Sequence, residues 1–269
     1  MEIMQGANRP ILTGLLIALL SLASMPAIEA KDTDRPQARD AGTFRPTVLI
    51  RKGSAQGSGT VIASVPGETL VLTAAHVIEG QGALSIELHR YNLGLERSPA
   101  KGIWPRRVPA EVVARDRAAD VAVLRVRKMI ALPYVAKLRL ENEEPTKGSV
   151  VTSVGIDLGT KLSSWSTRVA KVERFEIEGG GDDRLFLVTG KAPEHGRSGG
   201  GLFLENGELV GVCIGRSEAL IKGKLVGIFA SGASIRRLLH DHSLDETVVQ
   251  AAKETRRAPV TTTHAGSHR

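Results

Sequence analysis

The sequence predicts an all-β fold, a barrel or sandwich assembled from many short strands. Three observations carry this expectation. Apolar runs of strand length recur at near-regular spacing from about residue 46 to 230. The segments between them are rich in Gly, Pro and charge, in a chain with 29 glycines and only 3% aromatic residues. No heptad run is sustained, and helical spacing emerges only late, at Ile235, Leu238 and Leu239.

The 269 residues allow one or two domains, and 42% hydrophobic with 24% charged residues suits a globular chain and not a disordered one. Cys213 is the single cysteine, which excludes an intrachain disulfide and a cluster of thiolate metal ligands. The net charge of +7 raises the question of a nucleic-acid partner. Lys and Arg are spread along the chain, and two Trp, two Tyr and five Phe leave little for base stacking, so none is expected.

Residues 1–30 have the layout of a secretory signal peptide: Arg9, an apolar run from Ile11 to Leu22, then small residues and Ile28-Glu29-Ala30 ahead of Lys31. The run falls short of the ~20 residues that span a bilayer, so a cleaved signal is expected over a lasting membrane anchor. The protein is accordingly expected to be exported, to the periplasm or the medium. Residues 31–43 are polar and charged and suit a linker or short propeptide.

Strands are expected at 46–51, 58–63, 69–73, 83–88, 108–114 and 121–127, then at 149–155, 165–174, 185–189, 201–204, 208–214 and 224–230. Two groups of six fit a pair of barrels, about 44–130 and 145–232. Asn206-Gly207 between two apolar runs is a strong hairpin signal. Cys213 falls inside the apolar run 208–214, as a small buried hydrophobe. Segment 89–107, with five Lys or Arg plus Tyr91 and Trp104, suits a surface loop. Residues 233–240 predict a short C-terminal helix, and 241–269, poor in apolar residues, a mostly disordered tail.

Three local patterns bear on chemistry. Leu70-Val71-Leu72-Thr73-Ala74-Ala75-His76 runs an apolar strand into small residues with a histidine just past its end. Taken alone, such a histidine is more often structural. Asp120 directly precedes the apolar run Val121-Ala122-Val123-Leu124. A carboxylate drawn inward there needs a partner, such as a histidine ring nitrogen, although a turn aspartate satisfying backbone donors is the commoner case. In Glu194-His195-Gly196-Arg197-Ser198-Gly199-Gly200-Gly201, Ser198 sits among four glycines ahead of a strand. A serine is a poor nucleophile until a base accepts its proton. Glycines let the backbone turn sharply and aim successive N–H groups at one point, where they stabilise an oxyanion. Gln56-Gly57-Ser58-Gly59-Thr60 also flanks a serine with glycines, but it leads straight into a strand, so Ser58 is expected to be structural.

The order His76, Asp120, Ser198 is one of the chain orders of the serine-protease triad. Gly57-Ser58-Gly59-Thr60-Val61-Ile62, Leu72-Thr73-Ala74-Ala75-His76-Val77, Asp120-Val121-Ala122-Val123-Leu124 and Gly196-Arg197-Ser198-Gly199-Gly200 follow one another as in trypsin-like serine peptidases. Gly207-Glu208-Leu209-Val210-Gly211-Val212 and Val226-Gly227-Ile228-Phe229-Ala230 extend the match. The sequence resembles this family, and most of all the bacterial HtrA or Deg type, over about residues 44–240.

The resemblance implies two six-stranded antiparallel barrels with a short C-terminal helix. It implies that Ser198 is the nucleophile, His76 the general base and Asp120 the residue that orients it, with the N–H groups of Gly196 and Ser198 as oxyanion hole. It places Ala192 at the base of the substrate pocket and Ile214 on its wall, which favours small or medium apolar side chains over Lys or Arg. Gly201 stands where the family usually has proline, and Arg197 where a small or acidic residue is more common; neither is expected to touch the reacting atoms. His195 is expected on the loop surface, and no PDZ domain after the catalytic region. No His, Cys and carboxylate cluster has metal-ligand spacing, and no phosphate-binding glycine loop precedes a helix, so no cofactor is expected. The expected activity is that of a serine endopeptidase acting on polypeptides. The alternative is a catalytically silent peptidase-like fold that binds peptides or a protein partner; the intact set of three residues favours the enzyme.

Overall fold

A computed structural model describes residues 41–98 and 102–257. The expected signal peptide, most of the expected linker and the end of the chain lie outside them. The first sheet contains β1 (Thr47–Lys52), β2 (Ala55–Val65), β3 (Glu68–Ala74), β4 (Leu84–Leu88), β5 (Arg106–Pro109), β6 (Glu111–Asp116) and β7 (Val121–Arg127), in the order β5-β4-β1-β2-β3-β7-β6. The second contains β8 (Lys137–Leu138), β9 (Val150–Asp157), β10 (Lys161–Phe175), β11 (Arg184–Thr189), β12 (Gly201–Leu204), β13 (Glu208–Ser217) and β14 (Val226–Ser231). Its order is β12-β9-β10-β11-β14-β13-β8, and β12 also pairs with β13, which closes six of its strands into a barrel.

The expected pair of barrels is present, with two differences in strand count. The single strand expected at 108–114 is two. β5 ends at Pro109; Ala110 still donates to Leu84 O (3.1 Å), and the chain then bends away as β6 to pair with β7. The first sheet therefore curls as a half-barrel of seven segments whose two ends are consecutive stretches of chain. In the second sheet the unexpected β8 is a two-residue strand lying parallel to β13 outside the closed ring.

Helix α1 (Gly232–Asp241) matches the expected helix, capped by Ser231 Oγ accepting from Ser234 N (3.4 Å). Helix α2 (Asp245–Arg257) overturns the expectation of a disordered tail over those residues. Its apolar residues are few but well spaced: Val248 and Ala251 are buried, as is Leu244 just ahead of the helix. Within 89–107, Arg90–Leu93 forms a 3-10 turn held by a buried Asn92, whose Nδ2 donates to Arg45 O (2.7 Å) and Thr47 O (2.9 Å). That part of the expected loop is therefore anchored.

A continuous apolar core links the two sheets, joining Val48, Ile62, Leu72 and Leu124 to Val154, Phe203 and Val212. A smaller cluster around Trp165, Leu187, Cys213 and Phe229 fills the second barrel.

Candidate active site

The register of the first sheet brings two of the expected residues together. β3 and β7 pair from Glu68↔Arg127 to Ala74↔Val121, so the chain leaving β3 and the chain entering β7 are neighbours. His76, in the 3-10 turn Ala75–Ile78, thus meets Asp120. Its Nδ1 lies 2.5 Å from Asp120 Oδ2, its backbone N–H donates to Asp120 Oδ1 (2.8 Å), and Ala75 N donates to Asp120 O (3.0 Å). Asp120 adopts φ +54°, a left-handed conformation that aspartate tolerates better than most side chains. The preceding Asp116 supports it, its Oδ1 accepting from Ala118 N (2.9 Å) and Ala119 N (3.2 Å).

The Asp120 side chain is 13% exposed and the His76 side chain 44%. The hydrogen bond to the Asp120 carboxylate raises the His76 pKa above its ordinary 6.5, against the opposing effect of partial burial. A cavity of about 690 Å3 opens beside the pair, with Arg115, Arg117, Glu79 and Glu178 among its lining.

Ser198 approaches from the second barrel. Its carbonyl accepts from Ser58 N (2.7 Å) at the start of the buried part of β2. A Cβ on Gly57 would lie 2.6 Å from Val77 Cγ2 and 2.9 Å from Ser198 O, so only glycine lets the serine turn pack against the residue after His76. Gly199 (φ +87°) is similarly required, since a Cβ there would lie 2.0 Å from Ser58 O. Among the described residues, Ser198 Oγ makes no hydrogen bond.

The carbonyls around this turn are all held. His195 O accepts from Leu158 N (2.7 Å), Gly196 O from Ser58 Oγ (2.9 Å) and Arg197 O from Gly200 N (2.8 Å). In a trans peptide the N–H points opposite the C=O, so these bonds also orient the N–H groups of Gly196 and Ser198. Neither N–H has an acceptor among the described residues. Gly199 N is committed to Cys213 O (2.7 Å).

Arg197 and Ser58 matter here more than their sequence positions suggest. Arg197 is fully buried, its guanidinium in a two-point pair with Asp157 (Nε–Oδ1 2.9 Å, Nη2–Oδ2 2.7 Å) and over the Trp165 ring at 5.3 Å. Ser58 is structural, as expected, but within the site: its Oγ bridges Ile156 N (2.8 Å) to Gly196 O. Nothing in the sequence marks Arg197 as buried; the partner that accounts for its burial, Asp157, closes β9 forty residues earlier. Ala192 and Ile214 are both half-buried, Ala192 on the turn after β11 and Ile214 within β13. His195 is exposed as expected, with Nε2 3.2 Å from Arg216 Nη2.

A double β-barrel carrying a His–Asp pair opposite a glycine-held serine turn is the arrangement of trypsin-like peptidases. The chain belongs to that family: the family model described as trypsin-like peptidase domain matches residues 57–212. It is similar to the serine protease Do-like HtrA of Lactobacillus helveticus, 28% identical over 58% of this chain and 35% of the relative. The periplasmic pH-dependent serine endoprotease DegQ of Escherichia coli is 28% identical over 70% of this chain and 37% of its own length. The chain thus spans about a third of the curated relatives it matches. Among solved structures, the active form of the Rv3671c protease from M. tuberculosis superposes with a TM-score of 0.58 at 24% identity, covering 74% of this chain and 82% of that one. The serine endoprotease from Yersinia pestis gives 0.57 at 20% identity, covering 79% and 69%. Among the described residues, no helix is long and apolar enough to cross a membrane.

Proposed function

We propose that this protein is an exported serine endopeptidase that cleaves polypeptides through an acyl-enzyme formed on Ser198. The observation that carries this reading is the pairing of His76 with Asp120 across from a turn whose Gly196 and Ser198 N–H groups have no acceptor and whose carbonyls are pinned. With Nδ1 occupied by Asp120, Nε2 of His76 is the nitrogen that takes the Ser198 Oγ proton as Oγ attacks the substrate carbonyl carbon. The electron pair moves onto the carbonyl oxygen, which Gly196 N–H and Ser198 N–H receive. When the pair returns, the C–N bond breaks and Nε2–H passes its proton to the leaving amine. Water repeats the sequence on the ester, restoring Ser198 and releasing the acid. The Asp120 carboxylate stabilises the imidazolium in both halves.

Ala192 and Ile214, without a charge, favour a small or medium apolar side chain before the scissile bond. The signal-like residues 1–30 support export, as does the periplasmic setting in the names of two relatives. The test is covalent labelling by a fluorophosphonate together with turnover of a peptide library. Wild type is expected to label, and Ser198→Ala to lose both labelling and cleavage. Cleavage that persists in Ser198→Ala sinks the assignment, and a folded wild type that never labels supports the silent peptide-binding fold instead.

A further inference from the structure

The residue between the two oxyanion donors is a buried arginine, and its surroundings form a built socket. Arg197 has no exposed surface, and six hydrogen bonds leave its guanidinium. Two go to the Asp157 carboxylate at the end of β9. Nη1 reaches Ser153 O (3.2 Å), Ser153 Oγ (3.4 Å) and Ser163 O (3.4 Å), and Nη2 reaches Ser163 Oγ. Asp157 Oδ2 also accepts from Ser163 Oγ (2.5 Å). Gly155 leaves the space for the arginine stem, because a Cβ there would lie 2.8 Å from Arg197 Cγ.

We propose that the Arg197–Asp157 pair is the positioning device of the oxyanion turn, a role that rests on the peptidase reading above. The geometry gives the reason. Arg197 contributes the carbonyl of the peptide whose N–H belongs to Ser198, and the nitrogen of the peptide whose carbonyl, Gly196 O, is held by Ser58. Fixing its Cα and side chain therefore fixes both peptide planes on either side. Asp157 directly precedes Leu158, whose N–H holds His195 O and so orients Gly196 N–H. One ion pair thus locks the strand end that orients one donor to the residue whose carbonyl shares a peptide with the other. A surface ion pair would contribute little to such a lock, whereas this one is two-pointed and largely buried, with Arg197 fully so, and it defines a single arrangement. Arg197 touches no reacting atom; it acts through the backbone.

Asp157→Asn leaves the arginine with an uncompensated charge and risks the fold, so the double variant Arg197→Met/Asp157→Asn, which removes both charges at similar volume, accompanies it. In whichever of them melts cooperatively, fluorophosphonate labelling and kcat are expected to fall about 10²–10³-fold, the loss typical of a missing oxyanion donor, while KM changes by less than about threefold. Arg197→Lys, which keeps the charge but not the fork, is expected to recover part of the rate. Amide hydrogen exchange reads the turn without activity: Leu158 and Gly200 are expected to lose at least tenfold protection while β2 and β3 keep theirs. Exchange at Leu158 and Gly200 unchanged in the double variant, or labelling within threefold of wild type, overturns the proposal. A wild type that never labels, with exchange at the turn still responding, refutes the peptidase reading and leaves the positioning role standing.

Discussion

At His76 the proton balance sets the pH at which the site works. In the proposed mechanism His76 must be neutral to accept the Ser198 proton, and the Asp120 hydrogen bond holds its pKa above 6.5. The rate constant kcat/KM is therefore expected to rise with pH and reach half its plateau above pH 6.5. Asp120→Asn removes the bond that raises the pKa, so the midpoint moves to lower pH while the plateau drops about 10⁴-fold. Stability moves in the opposite sense. A raised pKa in the folded state stabilises fully below the unfolded value of 6.5 and is lost as pH rises through the folded value. In Ser198→Ala, a background without self-cleavage, adding Asp120→Asn is thus expected to lower the melting temperature more at pH 5.5 than at pH 9. A larger effect at pH 9 contradicts the charged-pair picture. His76 and Asp120 were legible in the sequence because each abuts a long apolar strand that fixes its place. Arg197 was not, because nothing in a linear string distinguishes a buried cation from an exposed one until its partner, forty residues earlier at Asp157, folds beneath it.

Among the elements, strands buried on both faces were the most legible. β7 at 121–127 and β12 at 201–204 coincide with the expected spans: Val121–Leu124 is apolar throughout and begins sharply after Asp120, and the run in β12 ends at Leu204. β8 has only two residues and owes its existence to β13 alongside, so it left no periodic trace. The break between β5 and β6 left no such trace, because Ala110 still bonds Leu84 O and the chain turns away only to pair with β7. Helix α2 was missed because composition outweighed spacing: Val248 and Ala251, with Leu244 just before the helix, suffice to dock it. Leu244, 4% exposed at its base, tests that packing, and Leu244→Ala is expected to cost about 2–5 kcal/mol in urea unfolding. At the serine turn, Gly199→Ala combines a strained φ with a clash against Ser58 O. It is expected to destabilise by more than about 1 kcal/mol and to abolish labelling, read by melting and probe incorporation on the same sample.

For the molecule as a whole, Cys213 offers a built-in reporter. It lies in the second barrel with no exposed surface, and burial pushes its thiol up to about 12. The thiolate is scarce and out of reach, so native protein is expected to resist iodoacetamide and to react only through opening of the barrel. Rapid alkylation under native conditions would show that this barrel breathes far more than its closed ladder implies. The division between the barrels also orders events in time. His76, Asp120 and the supporting Ser58 all belong to the first sheet, complete at Arg127, whereas the ring around Ser198 closes only with β14 at Ser231. At ordinary translation speed those hundred-odd residues take roughly 5–20 s to emerge from the ribosome. In the proposed mechanism a growing chain therefore carries its base before its nucleophile is in place, and cleavage is expected to begin only when almost the last strand is made.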